Sequence, residues 1–202
     1  MPVMVEGEAP APQPMLRGER VWLRPTEPGD VIEDSQFAGD AEVGHFLGVK
    51  SPMSRAAAER MAGEIMSQVG QTSYPYAICL LGEQRPIGTI FLRGVDKMNG
   101  SGVVGIFISD RRYLGKGYGT DALNALVDFG FGELRLERIE LEVFDYNVRA
   151  MRSYEKAGFQ TDALLRRARF HRGSFHDVHL MSIVRDDWLA LPRPRSWDLG
   201  GP

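Results

Sequence analysis

With 202 residues, 43% hydrophobic and 25% charged, the chain suits one globular domain with a sizeable core. A net charge of −3 argues against a nucleic-acid binder held by bulk charge and is mildly compatible with a cationic substrate. A single cysteine excludes an internal disulfide, no Cys/His cluster suggests a metal, and no apolar run approaches the roughly 20 residues of a membrane span.

Met1 to Met15 is Pro- and Ala-rich without an apolar core, so it reads as a disordered tail and not a signal peptide. A cytoplasmic location is the default expectation. Arg20 to Pro25 alternates like a strand, and Thr26 to about Phe37 reads as a helix with Pro28 in its first turn. Gly44 to Pro52 reads as irregular and carries His45 and Phe46. Ser54 can cap a helix running to about Val69, whose Met61, Ile65 and Met66 have the spacing of a core face. Tyr74 to Leu81 and Pro86 to Val95 form a hairpin around Gly82 to Arg85. Cys79 lies in the apolar run of the first of these strands and reads as a core thiol. Val103 to Ser109 is a third strand.

A glycine-rich turn follows that strand. Gly115, Gly117 and Gly119 alternate, and a helix then begins with Leu123, Leu126, Val127 and Gly130 on one face. Three alternate glycines let the backbone approach a ligand and aim its N–H groups one way. At a helix start, that is an anion-binding loop suited to a phosphate. A purely structural turn is the alternative. It is no P-loop, since no Gly-Lys-Ser/Thr ends it, and its spacing does not fit a dinucleotide fingerprint.

Downstream, Ile139 to Phe144 reads as a strand parallel to the third one. A helix from Asn147 to Ala157 follows, closed by Gly158. Phe159 to Phe170 and Ser174 to Val184 form a terminal hairpin around His171-Arg172-Gly173. A turn near Asp186-Asp187-Trp188 then leads into a Pro-rich tail.

The segment Arg112-x-x-Gly115-x-Gly117 resembles the acyl-CoA signature of the GCN5-related N-acetyltransferases. Asn147-x-x-Ala150-x-x-x-Tyr154-Glu155-Lys156-x-Gly158-Phe159 resembles that superfamily's second signature. The likeness runs from about Arg20 to Trp188 and is greatest to the ribosomal-protein and polyamine acetyltransferase branch. It implies an α/β fold with a mixed, mostly antiparallel sheet of six to seven strands, a splayed pair of central strands and about four helices. The implied boundaries are a disordered tail over 1–17, one acetyltransferase domain over 18–189 and a C-terminal tail over 190–202.

The resemblance also implies acetyl-CoA as co-substrate, with no metal, and direct acetyl transfer to a primary amine. It implies that Leu114, Gly115, Lys116, Gly117, Tyr118, Gly119 and Thr120 clamp the pyrophosphate, together with Arg112. The Phe107-Ile108-Ser109 edge would pair with pantetheine, and Asn147 would contact the same arm. Tyr154 would donate a proton to the CoA sulfur; a tyrosine merely packed in a helix is the alternative. Many relatives carry Glu-x-Gly where this chain has Val103-Val104-Gly105, so the usual carboxylate base is missing. His45, His171, His176, Asp177 and His179 are candidate substitutes, and none is singled out. The acceptor is left open among a protein N-terminus, a polyamine, an aminoglycoside and other small amines. A longer acyl donor, or a non-catalytic acyl-CoA sensor, are the alternatives. Neither nucleic acid nor membrane is an expected partner, and a homodimer is left open.

Overall fold

The computed structural model describes residues 15–199. Most of the expected N-terminal tail therefore lies outside the described residues. Seven strands form one sheet: β1 (Val21–Pro25), β2 (Tyr74–Leu80), β3 (Pro86–Asp96), β4 (Ser101–Ile108), β5 (Arg138–Phe144), β6 (Gln160–His171) and β7 (Ser174–Val184). Their order is β1-β2-β3-β4-β5-β7-β6. Every neighbouring pair is antiparallel except β4 and β5. Six α-helices lie among the described residues: α1 (Pro28–Ala38), α2 (Ala41–Leu47), α3 (Arg55–Ser67), α4 (Tyr118–Gly132), α5 (Val148–Lys156) and α6 (Arg185–Ala190).

The two-residue period of the strands decides what lies on each face. Ile90 and Leu92 of β3 and Val104 of β4 are buried in one cluster with Leu123, Leu126 and Val127 of α4. The alternate residues Thr89, Phe91 and Arg93 point the other way. There Thr89 donates to Asp34 of α1. The sheet is thus sandwiched, with α4 on one face and α1 on the other.

Two local expectations change. The segment around Gly44 is not irregular at its start: Asp40 accepts from the N–H groups of Glu42 and Val43 and caps α2. Val43, Phe46 and Leu47 then fall at i, i+3 and i+4, which is a helix period. The turn near Trp188 is likewise a short helix, α6.

Both chain ends pack further than expected. Leu16 is buried in the core cluster. Beyond α6, the chain is held by Asp128, a carboxylate of α4 with no exposed surface. It accepts from the Trp188 indole at 2.7 Å, from both terminal nitrogens of Arg193 at 2.9 Å and from the Ser196 N–H at 2.7 Å. Asp128→Ala would leave the largely buried Arg193 without a counter-charge. The expected loss is about 3 kcal/mol of stability, readable from denaturant unfolding. A variant with the wild-type midpoint would mean that the C-terminal segment is not tied to the core through this carboxylate.

Candidate active site

β4 and β5 pair only at Ser101–Arg138, Gly102–Ile139 and Val103–Glu140. Both strands then run on without pairing, to Ile108 and Phe144. A parallel pair that stops early leaves a V-shaped slot. It also leaves the β4 backbone beyond Val103 with unmade hydrogen bonds on that edge. A cavity of about 820 Å3 fills the slot and extends past the glycine turn. That lies within the roughly 300–1,000 Å3 typical of small-molecule sites.

One end of the cavity is the turn. Asp110 caps a single 3-10 turn, Arg111–Tyr113, and Gly115 follows in the left-handed region with φ of 72°. Gly117, with φ of 84°, is the residue before α4. A side chain there would be strained, so glycine is what lets the backbone turn into the helix. No side chain caps α4. Its first-turn N–H groups are therefore open toward the cavity, where the helix dipole favours an anion. Arg20 braces the turn from outside, donating to the Lys116 carbonyl and lying 4.6 Å from the Tyr118 ring centre.

The middle of the cavity lies between β4 and α5. Tyr154, 7% exposed, borders it and packs against Phe159. Burial pushes its phenol up to about 12. Its hydroxyl makes no hydrogen bond among the described residues, so a buried, protonated donor is left for a ligand. Asn147 sits at the cavity wall too, although not in the helix proper. It precedes α5, and its side-chain oxygen accepts from the Ala150 N–H at 3.2 Å. Thr120 and Ser153 join α4 to α5 through a 2.8 Å hydroxyl contact.

Of the residues singled out by sequence, Phe107, Ile108, Leu114, Gly115, Gly117, Tyr118, Gly119, Thr120, Asn147 and Tyr154 border this one cavity. Three do not. The Ser109 hydroxyl donates to Asp34 at 2.7 Å, away from the slot. The Arg112 guanidinium makes a two-pronged pair with Asp110 and stands in solvent. Lys116 lies outside the lining, its carbonyl held by Arg20.

The far end was not legible from motifs. Phe91 lies flat enough on Gly105 that a Cβ there would come within 2.3 Å of its ring. Phe46 of α2 and Phe144 of β5 add aromatic walls, and Arg149 stands 5.1 Å from the Phe46 ring centre. Three carboxylates border this end: Glu42, Glu140 and Glu142. Each is ion-paired, Glu42 with Arg111 at 2.7 Å, Glu140 with Arg138 at 3.2 Å and Glu142 with Arg169 at 2.6 Å. The alternation Glu140, Glu142, Phe144 on β5 was the one available signal: a polar-faced strand beside a predicted slot.

The histidines gather elsewhere. His45 and His171 share a 3.1 Å contact between ring nitrogens, and His45 stacks on Tyr146. Burial lowers the pKa of both histidines, and the nearby Arg172 adds to this. None of His45, His171, His176, Asp177 and His179 borders the cavity, so none stands ready to replace the missing glutamate.

A sheet with one prematurely parting parallel pair, and a glycine turn opening a helix at its mouth, defines an acyl-CoA-dependent acyltransferase. Residues 20–160 match the model of the family described as Acetyltransferase (GNAT) domain. The chain belongs to this family, and it is an acetyl-CoA-dependent N-acetyltransferase. It is 28% identical over 177 residues to an uncharacterized N-acetyltransferase, p20, of Bacillus licheniformis, covering 87% of this chain and 98% of that one. It is 28% identical over 182 residues to the probable N-acetyltransferase YjcK of Bacillus subtilis, covering 86% and 98%. Its fold is similar to that of a spermidine N-acetyltransferase from Vibrio cholerae solved with CoA and spermine. That match has a TM-score of 0.76 at 22% identity, covering 84% of this chain and 98% of the other. No helix among the described residues is long and apolar enough to cross a membrane.

Proposed function

We propose that the cavity carries acetyl-CoA from the glycine turn to the β4/β5 gap, and that a primary amine enters from the α2 side. The early parting of β4 and β5 is the observation that carries this reading. The pyrophosphate sits on the first-turn N–H groups of α4. The pantetheine arm pairs with the free edge of β4 as an added strand. Asn147 contacts the same arm.

The neutral amine attacks the thioester carbonyl carbon. The tetrahedral adduct then expels the thiolate, which takes the Tyr154 phenol proton; the amine nitrogen gives its surplus proton to water, and water returns one to the Tyr154 phenolate, so the donor is restored for the next turnover. A phenol held near 12 stays protonated across the working range, as a donor must. The acceptor's local surroundings are aromatic, and every carboxylate bordering them is already paired with an arginine. This favours an amine carried beside an apolar group over one recognised by its positive charge alone. Spermidine and spermine, named for the Vibrio cholerae enzyme, belong in the test beside N-terminal peptides and aminoglycosides. Release of free thiol from acetyl-CoA, dependent on one class of amine, checks this choice. Rates highest with spermidine would overturn the preference for an apolar neighbour.

Without a carboxylate at Val103, the proton acceptor is water. An aliphatic ammonium has a reference pKa of about 10, so few acceptor molecules are neutral at pH 7. The expected kcat/KM therefore rises with pH until the acceptor's own pKa. Measured with two amines of different pKa, the inflection should move with the amine. Glu142→Gln should leave the profile's shape unchanged. An inflection fixed near neutrality with both amines, and lost in that variant or in a single His→Ala variant, would mean that a protein base takes the proton.

A further inference from the structure

The acceptor end of the slot is walled by the sheet face that turns away from α4. Arg93, Val103 and Glu140 are cross-strand partners in one row of that face, at the point where β4 and β5 part. Phe91 and Gly105 form the next row toward the open end. Phe46 of α2 and Arg149, in the first turn of α5, stand on the side from which the amine enters.

Charge at this end is unevenly paired. Its three carboxylates, Glu42, Glu140 and Glu142, are each held by an arginine, at 2.7, 3.2 and 2.6 Å. Two guanidiniums have no such partner. Arg149 lies 5.1 Å from the Phe46 ring centre, and Arg93 lies 5.7 Å from that of Phe91. Both arginines are exposed and both border the cavity. Neither side chain makes an ion pair or a hydrogen bond among the described residues. A ring against one face of a guanidinium restrains its plane and leaves the five in-plane N–H donors open.

We infer that the acceptor is an amine that also carries a carboxylate, and that Arg149 pairs with that carboxylate. The inference deepens the acetyl-transfer reading of the slot and rests on it. A carboxylate can take two parallel N–H···O bonds from a guanidinium, a fit that neither a second amine nor a sugar hydroxyl offers. The glutamates could hold a cationic acceptor only by releasing their arginines, whereas Arg149 releases only water. An α-amino acid with an apolar side chain supplies each group that this end can use. Its amine meets the thioester, its apolar group meets the Phe46 and Phe91 walls, and its carboxylate meets Arg149. A peptide with an acidic residue next to its N-terminus presents the same chemistry. Polyamines and aminoglycosides carry no anion and leave Arg149 in water. Arg93, at the closed end, adds positive potential to the same wall.

The test measures thiol release from acetyl-CoA by the full chain with two matched pairs of acceptors. One pair is L-phenylalanine and L-phenylalaninamide; the other is Phe-Asp-Ala-amide and Phe-Asn-Ala-amide. Each pair differs by one carboxylate, and kcat/KM is expressed per neutral amine so that differences in amine pKa drop out. In the wild type the carboxylate should raise kcat/KM about tenfold or more in at least one pair, the size expected for a charge-assisted contact. The pair that responds shows whether a free amino acid or a peptide is the source. Arg149→Gln should bring that pair within about twofold, through the acceptor's KM and not through that of acetyl-CoA. Arg149→Lys should keep part of the preference, and Arg149→Glu should reverse it. The carboxylate contact would be overturned, with acetyl transfer intact, by equal wild-type rates in both pairs, by a full preference in Arg149→Gln, or by a loss confined to the acetyl-CoA KM. No thiol release with any amine, spermidine included, would overturn the acetyl-transfer reading and this inference with it.

Discussion

Tyr154→Phe is expected to lower kcat about 10²–10⁴-fold, the usual cost of losing a general acid, with CoA affinity nearly unchanged. The two effects separate because of where the residue sits. Tyr154 is 7% exposed, its ring packs on Phe159, and its hydroxyl is held by no described residue. Phenylalanine keeps the packing and removes one oxygen. A tyrosine placed for packing alone would tolerate that change. The acid role further requires the loss to depend on the leaving group. A thioester with a more acidic thiol needs less help, so the variant should be less impaired with it. Wild-type turnover in Tyr154→Phe with a good acceptor would leave the residue a packing tyrosine.

Gly119→Val is expected to abolish acetyl-CoA binding in a protein that still folds. The alternating glycines make Gly117 look like the obvious position for this experiment. The structure shows why it is a poor one. Gly117 has φ of 84°, and a Cβ would also stand 2.9 Å from the Arg20 guanidinium. Valine there would strain the backbone whether or not a phosphate binds. Gly119 has no such φ. A Cβ on it would meet only Ile106 and Ser153, at 3.6 and 3.8 Å, which are ordinary contacts. Those two neighbours stand on opposite walls of the slot, so the added side chain fills the path of the ligand. Unchanged CoA affinity by calorimetry, in a variant with wild-type thermal unfolding, would remove the clamp from this turn.

Legibility in the sequence followed contiguity. The turn from Arg112 to Thr120 and the stretch from Asn147 to Phe159 are single segments whose chemistry depends on spacing, and each brings residues to the slot. The sheet was legible for a related reason: its strands are short apolar or alternating runs bounded by turn residues, as in Val21 to Pro25. The acceptor wall was not. Its residues come from α2, β3, β5 and β6, and none carries a motif. Gly44 also concealed α2, because a glycine inside a seven-residue helix reads as a breaker. Ser109 shows the opposite error: it directly follows the right strand, but its hydroxyl is taken by Asp34 of α1. The chain ends were illegible for a further reason. Pro-rich sequence reads as tail, and nothing local says that Asp128, on a helix, will be buried and bind Arg193.

In the proposed mechanism this cleft moves an acetyl group from CoA directly to an amine. Mass spectrometry of the intact protein and its small-molecule products distinguishes direct transfer from an acetylated intermediate. With acetyl-CoA alone, the protein should keep its mass. With a suitable amine added, acetylated amine and free CoA should appear in equal amounts while the protein mass stays constant. An acetylated protein that forms before the amine is added and passes its acetyl group on would contradict direct transfer. CoA release without any acetylated amine would contradict the enzyme assignment.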